Sequence, residues 1–481
     1  MSDKFFLVLP IIAYLALMLL IGWYFSHRKT KSGFIQEYFI GSRSLGGFML
    51  AMTLIATFVS ASSFIGGPGI ASSTGLSWVL LSMIQVPTAF FTLGILGKKF
   101  AIIARRVNAV TVTDYLFARY KSKPVVIIAS ISLLTFFCAM IVAQFKGGAT
   151  LFQAITGYSY GVGLLIFAMV VVVYTTIGGF KAVALTDTIQ AVVMMVATVT
   201  ILVALISAGG GMENLVDKIG AQNPAMLDAN TVPKPQILSF WVLVGVGLLG
   251  LPQNTVRAMS FKNTKSLHSS MIIGTAVVGF LMLGLHLAGF LAAGVLEGAP
   301  PDSDSVIPMV VLQVLPKFWA GLFLAGPLAA IMSTVSSLLL LSSAAIIKDL
   351  LLRFGKREYE NIRLKQISFF STLVIGIFVF LVALNPPNII VWINLFAMGG
   401  LEAAFFWPTL LGLYWKRANA SGALLSMVGG VGVYLLMALL KINILSINNI
   451  VFGLAAGLIF FIIGAFAGEK PDAKVTEMFF G

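Results

Sequence analysis

Apolar residues recur along this chain in runs long enough to cross a bilayer, separated by short polar stretches. A span needs about 20 mostly apolar residues. By that measure the pattern predicts about thirteen helices: 5–25, 46–74, 76–97, 124–156, 160–179, 185–208, 236–257, 269–296, 314–348, 366–384, 389–415, 420–440 and 447–467. Two of these runs interrupt themselves. The first, FMLAMTLIATFVSASSFIGGPGIASS (48–73), is apolar in its first half and then carries Thr57, Ser60, Ser62, Ser63, Gly66, Gly67 and Pro68. The second, SFWVLVGVGLLGLPQNTVRAMSF (239–261), carries Gly245, Gly247, Gly250 and Pro252. Uncoiled backbone persists at membrane depth only beside protein or a lined cavity. A broken helix with freed carbonyls is one reading of 48–73; a Gly/Ser-rich packing face is the other.

Composition fixes the class. Hydrophobic residues are 59% of 481 and charged residues 10%, which marks a polytopic all-α membrane protein. The first run lacks a small-residue cleavage site and reads as a retained span. The net charge of +14 would suit nucleic acid, but the basic residues stand in short loops, so no nucleic-acid partner is expected. Arg28, Lys29, Lys31 and Arg43 follow the first run. Lys98, Lys99, Arg105, Arg106, Arg119, Lys121 and Lys123 follow the third. Arg257, Lys262 and Lys265, then Lys348, Arg353, Lys356, Arg357, Arg363 and Lys365, then Lys416 and Arg417 continue on the same side. The stretch 297–313 has no Lys or Arg. The positive-inside rule therefore puts the N-terminus outside and the C-terminus in the cytoplasm. The short loops leave no room for a soluble catalytic domain. One Cys and three His argue against a thiolate or His-based metal centre. No P-loop or potassium-type filter is present, which counts against an ATP-driven pump or such a channel. We expect no enzyme activity, no organic cofactor, no metal beyond Na⁺ and no obligate protein partner.

Candidate chemistry lies inside the membrane. The run PLAAIMSTVSSLLLLSSA (327–344) sets Ser333, Thr334, Ser336 and Ser337 in an otherwise apolar helix, with Ala330 one turn before Ser333. Hydroxyls from this helix and carbonyls from the broken one would supply about five uncharged oxygens, a set suited to weakly held Na⁺. Alternatively the hydroxyls bond back to their own helix. Asp187 would attract departing Na⁺, or would be an ordinary acid at a helix N-terminus. Glu402, inside a span, is a substrate-contact candidate or a protonated structural group. Lys146 is read as snorkelling rather than as an anion site, His286 as a packed, hydrogen-bonded residue, and Trp78 and Trp415 as interface anchors. Gln253 and Asn254 would line the second break or cap it.

The strings GVGLLIFAMVVVVYTTIGGFKA, GLYWKRANASGALLSMVGG, ATFVSASSFIGG and IMST resemble the sodium/solute symporter family, and the likeness spans essentially the whole chain. Further strings, EYFIGSRSLGGFMLAMTLIAT, SSFIGGPG, LGILGKKFAIIARRVNAVT and MGGLEAAFFWP, resemble its pantothenate-carrying branch. The resemblance implies a five-plus-five inverted-repeat (LeuT-like) core, divided as 1–45, first helix and loop; 46–235, first repeat; 236–418, second repeat; and 419–481, two last helices and tail. It implies a Na⁺ site at Ala56, Val59, Ala330, Ser333 and Thr334, with Asp187 aiding ion release. It points substrate toward Ser60, Ser62, Ser63, Ser82, Gln85 and Gln253. Val244 and Leu248 stand where proline carriers of the family have aromatic residues, and Ser62 and Ser63 where sugar carriers have an amide and a carboxylate. The expected function is Na⁺-coupled import of a small carboxylate, pantothenate first, at the bacterial inner membrane. Import of another solute (proline, another monocarboxylate or a sugar) and a non-transporting ligand sensor are the alternatives.

Overall fold

The computed structural model describes residues 3–26, 35, 39–40, 43–298, 300–355 and 359–481. The basic residues Arg28, Lys29, Lys31, Lys356 and Arg357, and part of the EYFIGSR string, lie outside the described residues. Among those described the chain is helical, with two isolated bridges, Leu45 to Phe261 and Ile444 to Ile447. Ten helices are long and apolar enough to span a membrane, or up to 12 if each of two bent pairs is one span.

The difference from thirteen has a local cause. The runs 160–179 and 185–208 are joined in one helix, Tyr160–Ala208, of 49 residues. At 1.5 Å per residue it is about 74 Å long, well beyond one crossing, and within it Ala182–Ala208 is long and apolar enough to span whereas Tyr160–Val173 is a shorter apolar stretch. The loop expected between the runs is helical backbone.

Both expected breaks are present. Helix Gly47–Phe58 and the segment Ser62–Thr74 meet at 68°, and Lys234–Gly250 meets Pro252–Met259 at 47°. A third irregularity interrupts Leu76–Arg106 near Pro87, where the ring blocks a regular turn.

The scaffold is centred on Lys317–Ala344, which is buried throughout from Phe323 to Ala344. This helix packs on Asp3–Ser26, Lys123–Thr156 and Tyr160–Ala208. Phe318 and Trp319 at its start are exposed, but from Phe323 to Ala344 it is surrounded by protein, so its serines and threonine face other helices rather than lipid. The first broken helix leans on it and on Thr264–Val295; the second packs against Ile390–Tyr414. Small residues permit these approaches. A Cβ on Gly66 would press into Val391, and one on Gly250 would meet the Phe406 backbone at 3.0 Å.

Candidate functional site

The first broken helix leaves helical geometry at Val59, whose φ of −71° and ψ of 125° are extended. Its own amide still bonds to Ile55 O at 2.7 Å. Two carbonyls at the break, those of Ala56 and Val59, turn to the neighbouring helix. Ser333 Oγ donates to Ala56 O at 2.6 Å. Thr334 Oγ1 donates to Val59 O at 3.2 Å, with Thr57 O at 3.5 Å. Both hydroxyls also reach Ala330 O, at 3.0 and 2.9 Å. Back-bonding and cross-helix bonding thus occur together. All five residues expected at the cation site meet here, each 0 or 1% exposed.

The amides beyond the break need partners too. Ala61 N–H donates to Gln144 Oε1 at 2.9 Å, and Ser62 N–H to Ser60 Oγ at 3.3 Å. Gln144 escaped the sequence reading. The available signal was a lone amide in an apolar run, two residues before Lys146.

A small cavity of about 60 Å³ adjoins the break. Ser60, Ser62, Ser63, Ser82 and Gln85 line it as expected, and so does Val244. Trp78, His286, Asn394 and Met398 line it as well. Trp78 is 7% exposed and stacks edge-on with Phe240 and Trp392, so it is a cavity wall rather than an interface anchor. His286 shares its Nδ1 proton with Met282 O at 2.8 Å, which fits the packed reading, while its ring also borders the cavity. Among the described residues the lining contains no Lys, Arg, Asp or Glu. An anion there would be met by hydroxyls, backbone N–H groups and any bound cation.

Two expected substrate contacts lie elsewhere. Gln253 is 2% exposed in the first turn of Pro252–Met259 and does not line the cavity. Glu402 is fully buried against the second broken helix and is also absent from the lining. Glu402 lies one turn beyond Met398, the last residue of its helix to line the cavity, and no residue of Pro252–Met259 lines it. Asn254 does reach a freed carbonyl, with Nδ2 to Leu248 O at 3.5 Å.

Asp187 lies inside Tyr160–Ala208, so the N-terminal reading fails. It is 0% exposed; Thr53 Oγ1 donates to its Oδ2 at 2.5 Å, and Arg257 Nη2 is 3.7 Å away. Arg257, read from sequence as a loop cation, is 1% exposed and donates to Ser337 Oγ at 2.6 Å. Ser337 in turn is 3.2 Å from Thr57 Oγ1. This network ties four elements together one turn from Ser333.

On the other side of the cavity, Lys146 does not snorkel. Its Nζ pairs with Asp304 Oδ2 at 2.8 Å and donates to Asn388 O at 3.1 Å. Ile390 N–H donates to the same Asp304 oxygen at 3.1 Å. Burial pushes the Asp304 carboxyl above its usual range, and Lys146 pulls it partly back.

A family model described as the sodium:solute symporter family matches residues 38–430. The sodium/pantothenate symporter of Escherichia coli (strain K12) is 48% identical over 474 residues, covering 97% of this chain and 98% of that one. The sodium/pantothenate symporter of Haemophilus influenzae (strain ATCC 51907 / DSM 11121 / KW20 / Rd) is 46% identical over 483 residues, with 98% and 99% covered. The osmoregulated proline transporter of Bacillus subtilis (strain 168) is 31% identical over 477 residues, with 97% and 96% covered. Among solved structures, the substrate-bound outward-open state of a Na⁺-coupled sialic acid symporter aligns with a TM-score of 0.83 at 20% identity, over 98% of this chain and 99% of that one. That last likeness concerns the fold.

Proposed function

Since the chain belongs to the sodium:solute symporter family, we propose that it imports pantothenate with Na⁺ by alternating access. It is a membrane transporter and not an enzyme. The observation that carries the ion half is the meeting of Ser333 and Thr334 with the Ala56 and Val59 carbonyls, at 2.6 and 3.2 Å. A Na⁺ there would replace hydrogen bonds between hydroxyls and carbonyls with bonds to their lone pairs. Five neutral oxygens hold it weakly enough for release.

The substrate half rests on the pantothenate symporters at 48% and 46% identity, against 31% for the Bacillus proline transporter. The cavity chemistry is compatible. Pantothenate offers a carboxylate, hydroxyls and an amide; Ser60, Ser62, Ser63, Ser82, Gln85 and Asn394 offer donors and acceptors. With no cationic side chain in the lining, the carboxylate would lean on the amide end of Ser62–Thr74 and on nearby Na⁺. Each ligand then favours the state that holds the other, so coupling is reciprocal.

In this reading the Lys146–Asp304 pair is part of the outer barrier and Asp187–Arg257 part of the inner one. Na⁺ would leave past Asp187 once Arg257 moves off. The protein would sit in the plasma membrane with its N-terminus outside and C-terminus in the cytoplasm. Labelled pantothenate uptake into proteoliposomes tests the proposal: a Na⁺ gradient should drive accumulation that K⁺ does not. Equal uptake under both cations would remove coupling. Preference for proline or a sugar in competition would replace the substrate. No uptake of any solute would turn the reading to a sensor.

A further inference from the structure

Glu402 stands apart from the other buried acids. Asp187 has Thr53 and Arg257, and Asp304 has Lys146 and the Ile390 amide. Asp114 pairs with Arg353, and Asp349 accepts from Thr111 Oγ1 at 2.7 Å. Glu402 is 0% exposed, yet neither carboxyl oxygen has a hydrogen-bond partner among the described residues. No cationic side chain pairs with it there.

Its surroundings come from three elements. The second broken helix brings Gly247 and Gly250; a Cβ on Gly247 would strike both the Glu402 carboxyl and the Val242 carbonyl. The acid and that carbonyl therefore face the same small space. Helix Lys123–Thr156 brings the apolar ring of Phe136, against Gly400. Helix Ala420–Leu439 brings the titratable Tyr434 against Gly399, with its hydroxyl committed to Phe396 O at 2.9 Å. A carboxylate here would lack both donor and counter-charge, which is strongly unfavourable in a membrane interior. A protonated carboxyl can instead donate to a freed carbonyl.

The placement gives the proton a role. Val391, Asn394, Leu395 and Met398 turn one face of Ile390–Tyr414 to the cavity. Glu402 follows Met398 by one turn, on the side away from Asp304 and on the face packed against the irregular stretch of the second broken helix. Asp187 relates to the first broken helix in the same way, through Thr53.

We propose that Glu402 is a proton-binding site coupled to inner opening, a step that rests on the alternating-access reading. While the second broken helix packs on it, the carboxyl holds its proton. When that helix swings away and water enters, the O–H bond breaks, the electron pair stays on the carboxylate oxygen and the proton passes to cytoplasmic water. Re-closure takes a proton back. The closed form binds more protons, so alkaline pH inside favours the open form and slows the return step.

Infrared spectroscopy and uptake by the full-length protein in proteoliposomes test this together. At neutral pH the wild type should show a protonated-carboxyl C=O band that Glu402→Gln lacks. Repeated-turnover uptake by the wild type should fall as internal pH rises, by at most about tenfold per unit for one proton. Uptake by Glu402→Gln should change less than about twofold over that range, because the amide cannot titrate. An unchanged band in the variant would mean an ionised Glu402 and overturn the proposal. A lost band with coinciding pH profiles would also overturn it, because the proton then never leaves. If the variant does not accumulate in membranes, the wild-type band decides: bleaching at alkaline pH that Asp349→Asn retains supports the site, and a band constant across pH defeats it. Wild-type protein without any uptake would defeat the transport reading, while the band would still report whether Glu402 holds a proton.

Discussion

Ser333 and Thr334 are neighbours in an unbroken helix, yet both hydroxyls reach carbonyls of another one. Removing either oxygen strips a ligand from the proposed cation site without touching the backbone. Ser333→Ala or Thr334→Ala should raise the Na⁺ concentration for half-maximal uptake, by a lost interaction of about 1–2 kcal/mol, or roughly five- to thirtyfold. Unchanged Na⁺ dependence in both would remove the ligand set. Gln144 has a different task, satisfying the Ala61 amide at 2.9 Å. Gln144→Leu leaves that buried N–H unpaired and should lower unfolding stability by about 1–3 kcal/mol, read from the denaturation midpoint in detergent. The hydroxyls were legible because small polar residues are conspicuous in an apolar run. Gln144, Trp78 and Asn394 were not, because their roles depend on which helices become neighbours. Glu402 drew notice as an intramembrane acid, but sequence could not say that it stands one turn beyond the cavity.

At the scale of elements, Gly and Pro made both breaks legible, since each removes a constraint or a hydrogen bond that regular helix needs. The joining of 160–179 to 185–208 was not legible. The paired Gly178-Gly179 at the end of the first run is unfavourable in a helix, yet the backbone stays helical through it, in a helix that packs on Lys317–Ala344 and Asp3–Ser26. The outer half of the first broken helix gives a prediction of its own. A Cβ on Gly69 would overlap the Ser303 carbonyl, so the 303–305 turn can settle over this half only because the residue is glycine. Gly69→Val should hold that turn away and cut uptake by at least about tenfold, for a barrier penalty above about 1.4 kcal/mol. Uptake equal to wild type would mean that the turn need not close.

Across the whole molecule, one buried ion pair lies on either side of the cavity, Lys146–Asp304 and Asp187–Arg257. The alternation of loop charge gave a topology but misassigned Arg257, because sequence alone cannot distinguish a loop cation from one drawn inward by a buried partner. Asp187→Asn should leave the Arg257 charge uncompensated and destabilise the protein by about 3–5 kcal/mol, with part of that recovered in Asp187→Asn/Arg257→Gln. Additive losses in the double variant would show that the two charges do not interact. The central claim is that Na⁺ held at the first break strengthens substrate binding beside it. Equilibrium binding of labelled pantothenate to purified protein, in Na⁺ and in K⁺, tests it most directly. Wild type should bind at least about fivefold more tightly in Na⁺, a coupling of about 1 kcal/mol, and Ser333→Ala/Thr334→Ala should lose that difference. Equal affinity in the two cations, or a Na⁺ effect that survives in the double variant, would contradict the claim.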